Sequence, residues 1–237
     1  MTSRDMPPER RRRRRTTQSG AVLDEKTIVD TALRLLREGG QEGLSTRRLG
    51  RALGADHTAI YRYFRNMNEL ELALADELIA RGTSTWHATG VWYEDLERWG
   101  LSAHAVYMDN PAAAQIAATR ITGGDPELAG VEAIVSLLRD AGFPPGHAVM
   151  FYELFISQLL AYARWDSAKK LLPEEERKRD ISRWKDIYGT VSPEDYPAIT
   201  ANVNVVGGLA GLDTYPRTLR ILLATMRATL AELRDRP

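Results

Sequence analysis

Between Ser45 and Phe64 the chain reads STRRLGRALGADHTAIYRYF, and Arg65 follows directly. Arg47, Arg48, Arg51, Arg62 and Arg65 face a single acid in this stretch, Asp56. The chemistry these residues offer is recognition of a polyanion. Guanidinium groups pair with phosphates or guanine edges, tyrosine hydroxyls donate to phosphate, and the methyl groups of Thr58 and Ala59 suit thymine. A helical hairpin packed inside a core is the competing reading. A core would not leave five arginines opposite one aspartate. Signs of covalent chemistry are missing. His57, His87, His104 and His147 lack the spacing of a helical zinc pair. There is no G-x-S-x-G elbow, P-loop or dinucleotide fingerprint, and Gly207, Gly208 and Gly211 have neither the spacing nor a preceding strand. No catalytic residue, metal site or cofactor is expected.

The elements that hold this segment read as helix. From Asp24 to Glu38, Ile28, Ala32 and Leu35 recur at helical spacing, as do Val29, Leu33 and Leu36, and Gly39-Gly40 stops the run. Ser45 is placed to cap a second, short helix ending near Leu53. Gly54 follows where a left-handed residue is wanted. A third helix is expected from Asp56 to Phe64, and a fourth from Asn66, whose Asn66–Glu69 spacing is a capping-box pattern. Two short helices joined by a tight turn make a helix-turn-helix. Its second helix would present His57, Thr58, Ala59, Tyr61, Arg62 and Tyr63 to a major groove. Thr46, Arg47 and Arg48 would hold the backbone from the preceding helix, and Arg65 from the far end.

Charge distribution supports the same partner. The 237 residues carry 32 basic and 32 acidic side chains, yet residues 1–20 hold seven arginines against Asp5 and Glu9. The excess of acid falls beyond residue 66, so a polyanion is attracted to the first quarter and repelled by the rest. Residues 1–20, with Arg10 to Arg15 in one run and Pro7-Pro8, bury almost nothing and are expected to be a disordered arm. Two readings stay open for it: a solvated tail, or an arm that enters a minor groove, where narrow tracts attract arginine. Cysteine is absent, which excludes disulfides and thiolate metal sites and fits a reducing cytoplasm. With no secretory-type apolar stretch at the N-terminus and no run of 18 apolar residues, neither export nor a membrane span is expected.

Further helices are expected at 94–109, 111–120, 126–141, 146–168 and 216–234, with a charged stretch at 169–192 read as part loop, part exposed helix. In 126–141, Leu128, Val131, Val135 and Leu138 share one face. In 146–168 nearly every side is apolar, which calls for burial all round. No run alternates with period two, so the fold class expected is all-α.

The helix-turn-helix and its surroundings resemble the TetR family of bacterial regulators. The resemblance rests on Thr31-Ala32, Leu35-Leu36, Gly43-Leu44-Ser45-Thr46, Leu49, Ala52-Leu53-Gly54, Ala59-Ile60-Tyr61-Arg62-Tyr63-Phe64 and Glu69-Leu70, and it covers residues 24–81. It departs from the family in two places. Gly50 sits inside the second helix, where glycine weakens it by up to about 1 kcal/mol relative to alanine. Met67 stands where the family commonly has a phosphate-binding lysine.

The resemblance implies an N-terminal three-helix DNA-binding domain over residues 21–81, after the arm at 1–20. It also implies a helical dimerisation and ligand-sensing domain over 82–237. The expected function is a ligand-responsive transcriptional regulator, read as a repressor that binds a palindromic double-stranded operator as a homodimer and is released by a small molecule. The apolar surface of 146–168 and 216–234 suits a four-helix interface between two copies, although simple core packing would use it too. Pocket candidates are His104, Tyr107, Met108, Arg120, Tyr152, Phe155, Gln158, Tyr162 and Trp165, which suggest an aromatic or mixed-polarity effector. Two other classes remain: an enzyme that assembles its site from scattered residues, and a helical protein that uses its arginine tail on RNA, a membrane or a partner.

Overall fold

A computed structural model describes residues 23–84, 86–204 and 213–235, and shows helices joined by turns, with no strand among the described residues. The arginine arm at 1–20 and the glycines at 207, 208 and 211 lie outside the described residues. The chain divides into two compact units, Met1–Glu69 and Leu70–Pro237.

In the first unit, α1 (Glu25–Gly39) starts at Asp24, whose carboxylate accepts the Thr27 N–H at 2.7 Å. It buries Ile28, Val29, Ala32, Leu33 and Leu36. A 3-10 turn, Gln41–Gly43, leads to α2 (Thr46–Leu53), capped by Ser45 Oγ accepting the Arg48 N–H at 3.3 Å. α2 ends at Gly54, which has φ +59° and ψ 32°. In that left-handed conformation the Ala55 N–H reaches the Gly50 carbonyl at 2.9 Å, closing the helix end. Gly50 itself is buried.

The third helix is shorter than expected. Regular α-helix spans only α3 (His57–Ile60), opened by Asp56, which accepts the Thr58 N–H at 2.7 Å. Residues 61–64 tighten into a turn, with the Tyr63 and Phe64 amides both donating to the Ile60 carbonyl. This turn brings Phe64, 6% exposed, into the same core as Leu49, Leu53 and Ile60. Asn66 Oδ1 then accepts the Glu69 N–H at 3.0 Å and opens α4 (Met67–Thr83), while Glu69 reaches back to the Arg65 N–H at 2.7 Å.

In the second unit, α4 buries Leu70, Leu74 and Leu78 along one edge. It is followed by α5 (Trp92–Asp109), α6 (Pro111–Ala117), α7 (Asp125–Asp140), α8 (Pro145–Leu171), α9 (Glu174–Thr190), α10 (Pro197–Ala201) and α11 (Tyr215–Arg234). Leu96, Trp99, Phe151, Phe155, Leu219 and Met226 anchor a core among α5, α8 and α11. No described helix is long and apolar enough to cross a membrane.

Two facial expectations are corrected. α7 turns Gly130, Ile134 and Leu138 inward and leaves Leu128 exposed, because the helix packs on a stripe at i, i+4, i+8. α8 is not buried all round. Ala148, Phe151, Phe155, Leu159 and Ala163 face the core, whereas Val149, Met150, Leu154 and Trp165 are exposed on the single chain. Among the described residues, neighbours cover only one side of this helix. The charged stretch after it forms α9, which buries no described side chain.

Replacing Gly54 with alanine keeps the turn but forces a Cβ into left-handed geometry, so thermal or urea denaturation should show destabilisation by about 1–2 kcal/mol. A cost near zero would mean the turn relaxes.

Candidate nucleic-acid interface and cavity

The first unit presents a basic face built by packing. α2 and α3 direct Leu49, Leu53 and Ile60 inward, so the intervening positions must face out. Arg47, Arg51, Thr58, Tyr61, Arg62 and Arg65 are exposed, with Thr46 and Ala59 half-buried. Among the described residues Arg47, Arg51 and Arg62 form no ion pair. Arg65 lies 3.6 Å from Glu69 with its side chain 89% exposed, a pairing weak enough to yield to a phosphate. Two of the expected contact residues serve the scaffold. Arg48 Nη1 donates to the Glu42 carbonyl at 3.0 Å, tying α2 to the 3-10 turn. Tyr63 donates its hydroxyl to the Leu23 carbonyl at 2.5 Å, fastening the first described residue to the turn after α3. The backbone of His57 opens α3.

The second unit holds a cavity that is partly open to solvent. Its walls come from Leu78 and Ile79 of α4, Trp99 and Tyr107 of α5, Val131 of α7, and Tyr152, Ile156 and Leu160 of α8. Arg120 and Glu127 are its charged groups. Of the nine pocket residues expected from sequence, Tyr107, Arg120 and Tyr152 line it. Burial and the Glu127 charge push the Tyr107 phenol up to about 12. Burial, with Glu127 and Glu153, also raises Tyr152. Both phenols therefore stay protonated at neutral pH.

The other six lie elsewhere. His104 Nε2 is 3.1 Å from Asp166, and its ring stacks on Tyr215 at 4.5 Å. Phe155 packs on Trp99 in the core, and Tyr162 leans on Tyr215. The Met108 carbonyl accepts from Lys170, Gln158 carries a buried amide oxygen without a partner, and Trp165 is 65% exposed. Sequence reasoning missed Trp99, Glu127 and the α4 wall. Trp99, Ala103 and Tyr107 sit at i, i+4, i+8 on α5, a signal that could have placed Trp99 beside Tyr107.

The sequence pattern of "Bacterial regulatory proteins, tetR family" matches residues 28–74, and that of "Tetracyclin repressor-like, C-terminal domain" matches residues 87–230. The chain belongs to the TetR family. It is thus a transcriptional regulator with a helix-turn-helix. Among curated relatives, the tetracycline repressor protein class C of Escherichia coli is 30% identical over 162 residues, covering 67% of this chain and 72% of the relative. An HTH-type transcriptional regulator of Saccharopolyspora erythraea is 28% identical over 88% of this chain and 86% of its own. A possible TetR family transcriptional regulator from Streptomyces coelicolor A3(2) superposes with a TM-score of 0.73 at 26% identity, covering 87% of this chain and 100% of that one. Apo ActR from Streptomyces coelicolor shares the fold, with a TM-score of 0.74 at 24% identity over 89% of this chain and 98% of its own.

In this TetR-family chain the His104–Asp166 pair has a pH signature. Burial works to raise the Asp166 pKa, but hydrogen bonds from His104 and Lys169 outweigh it and hold the carboxyl below the ordinary value of 3.8. A lowered folded value means stability that is present above the ordinary carboxylate range and lost as pH falls through the folded value. Asp166→Asn should therefore destabilise the chain at pH 6 and cost progressively less below pH of about 4. Urea titrations at pH 6 and pH 3 check this; an equal effect at both would show that the carboxylate charge is not what matters.

Proposed function

We propose that this regulator is a repressor that binds a palindromic duplex operator as a homodimer and releases it when a small molecule enters the cavity of the second unit. The observation that carries the DNA reading is the exposed face of Arg47, Thr58, Tyr61 and Arg62 on a helix-turn-helix whose Leu49, Leu53 and Ile60 are turned inward. α3 would lie in the major groove, with Arg62 reaching a guanine or a phosphate and Tyr61 a phosphate. Repression is supported by relatives that carry that description, the Escherichia coli tetracycline repressor of class C and the transcriptional repressor DrrR1 of Streptomyces coeruleorubidus.

Dimerisation is supported by the exposed apolar side of α8, Met150, Leu154 and Trp165, together with Ile221 of α11, 66% exposed. A second copy would cover both helices, and a twofold pair of reading heads doubles the bases read. The functional division is residues 21–81 for reading and 82–237 for dimerisation and sensing. α4 begins in the first unit and continues into the second, so it is the covalent route by which a ligand shifts the population of DNA-competent dimers. The cavity's phenols and its Arg120 and Glu127 suit an aromatic effector with a polar edge. The arginine arm at 10–15 would add phosphate or minor-groove contacts and offset the missing lysine at Met67. A cytoplasmic location follows from this role.

Duplexes selected from a random pool test the reading. Tyr61→Ala with Arg62→Ala should weaken the selected duplex by at least about 10-fold with an unchanged circular dichroism spectrum. Unaltered binding would move the function to the tail. Deleting residues 1–15 should flatten the log–log salt slope by about 1 for each phosphate that the arm neutralises; an unchanged slope removes the arm from the interface. Leu154→Glu with Ile221→Glu should yield a monomer by sedimentation and abolish operator binding.

A further inference from the structure

The loop between α6 and α7 links the cavity to α4 through a short chain of polar contacts. Thr122 places its hydroxyl 2.5 Å from Asp76 Oδ1 on α4 and 3.0 Å from Glu127 Oε2 on α7. A hydroxyl has one proton, and the shorter distance assigns it to Asp76. Glu127 Oε2 is meanwhile held by two loop amides, Thr122 N–H at 2.8 Å and Gly123 N–H at 2.6 Å. The Gly124 N–H closes the loop on Thr122 Oγ1 at 3.2 Å. Gly124 lies so close to Asp76 that a Cβ there would collide with all three atoms of the carboxyl group. A second link runs parallel, with Arg120 Nη1 3.9 Å from Glu71 on α4. Glu127 and Arg120 are the charged groups of the cavity wall. The carboxylate that orders the loop is thus one that a cavity ligand would touch.

We infer that Thr122, Asp76 and Glu127 form a latch that holds α4 in its operator-binding position, and that the effector acts by taking Glu127 away from the loop. This deepens the repressor reading and rests on it. An effector that donates a hydrogen bond or presents a cation to Glu127 competes with the Thr122 and Gly123 amides for one oxygen. When those amides let go, Thr122 is no longer positioned on Asp76. The effector-bound state is the unlatched one. Because effector and operator oppose each other, the operator-bound state is the latched one, and operator must stabilise the latch as much as the latch favours operator. The effector class is therefore an aromatic molecule with a hydrogen-bond donor or amine on the edge that meets Glu127. Asp76 and Thr122 are positioning residues that act through α4 and touch neither ligand nor DNA.

The full-length wild type is compared with Thr122→Val, Thr122→Ser, Asp76→Ala and Gly124→Ala on the duplex that the wild type selects. The valine and both alanine variants should bind it about 10-fold more weakly, and the serine variant, which keeps the hydroxyl, within about 2-fold of wild type. Hydrogen exchange in the peptide over residues 118–124 should slow when the wild type binds its duplex, and Asp76→Ala should abolish that slowing. A merely structural role would lower melting temperature without linking loop exchange to DNA. Equal duplex affinity across the set, a weakening shared by Thr122→Ser, or loop exchange indifferent to duplex would overturn the latch and leave the regulator reading intact. A wild-type chain that selects no duplex would overturn both. Should Thr122→Val fail to fold, Gly124→Ala and the wild-type exchange measurement decide the matter alone.

Discussion

A helix of four residues has no independent stability in water, because nucleating a turn fixes several residues for one hydrogen bond. α3 is held because Ile60 and Phe64 are buried, as are Leu49 and Leu53 of α2. That burial is the constraint on which the exposed basic face depends. Once the apolar positions are committed inward, the helical period of α2 leaves Arg47, and the turn at 61–64 leaves Tyr61 and Arg62, facing water. The left-handed Gly54 sets how sharply α3 departs from α2. The contact chemistry of this unit is thus a by-product of how its small core closes.

The same economy governs side chains that look like contact residues but serve the scaffold. Tyr63 and Arg48 carry groups suited to phosphate, yet each is engaged with a main-chain carbonyl, of Leu23 and Glu42. Neither bond prevents an approach to DNA by the remaining donors or by the ring. Both restrict the freedom of the exposed surface, which would lower the entropic cost of the proposed DNA binding. Leu23 is buried, so the tyrosine bond anchors the first described residue of the unit.

In the second unit the governing fact is that several helices contribute to one cavity while the polar side chains around it are shared between tasks. Glu127 orders a loop and lines the cavity; Arg120 lines it and approaches α4. His104, expected in the pocket, is instead turned to Asp166 and stacked on Tyr215. A buried ring next to a carboxylate is more stable in that pairing than facing an apolar wall. The free apolar side of α8 is the complementary case: surface that the described residues leave uncovered.

What could be read from the chain alone was whatever is local. The helical period, the caps at Ser45 and Asn66, the glycine after α2 and the basic face of one short segment all depend on residues within a few positions of one another. Their geometry follows from backbone hydrogen bonding and side-chain spacing, which no distant contact needs to arbitrate. The rotation of α5, α7 and α8 about their own axes was not local. Each has apolar residues on more than one side, so only packing against partners far along the chain decided that Leu128 faces out, that Trp99 rather than His104 meets the cavity, and that Asp76 meets Thr122. The physical reason is that a helix with several apolar faces has several nearly equivalent orientations, and the burial available from its neighbours selects among them.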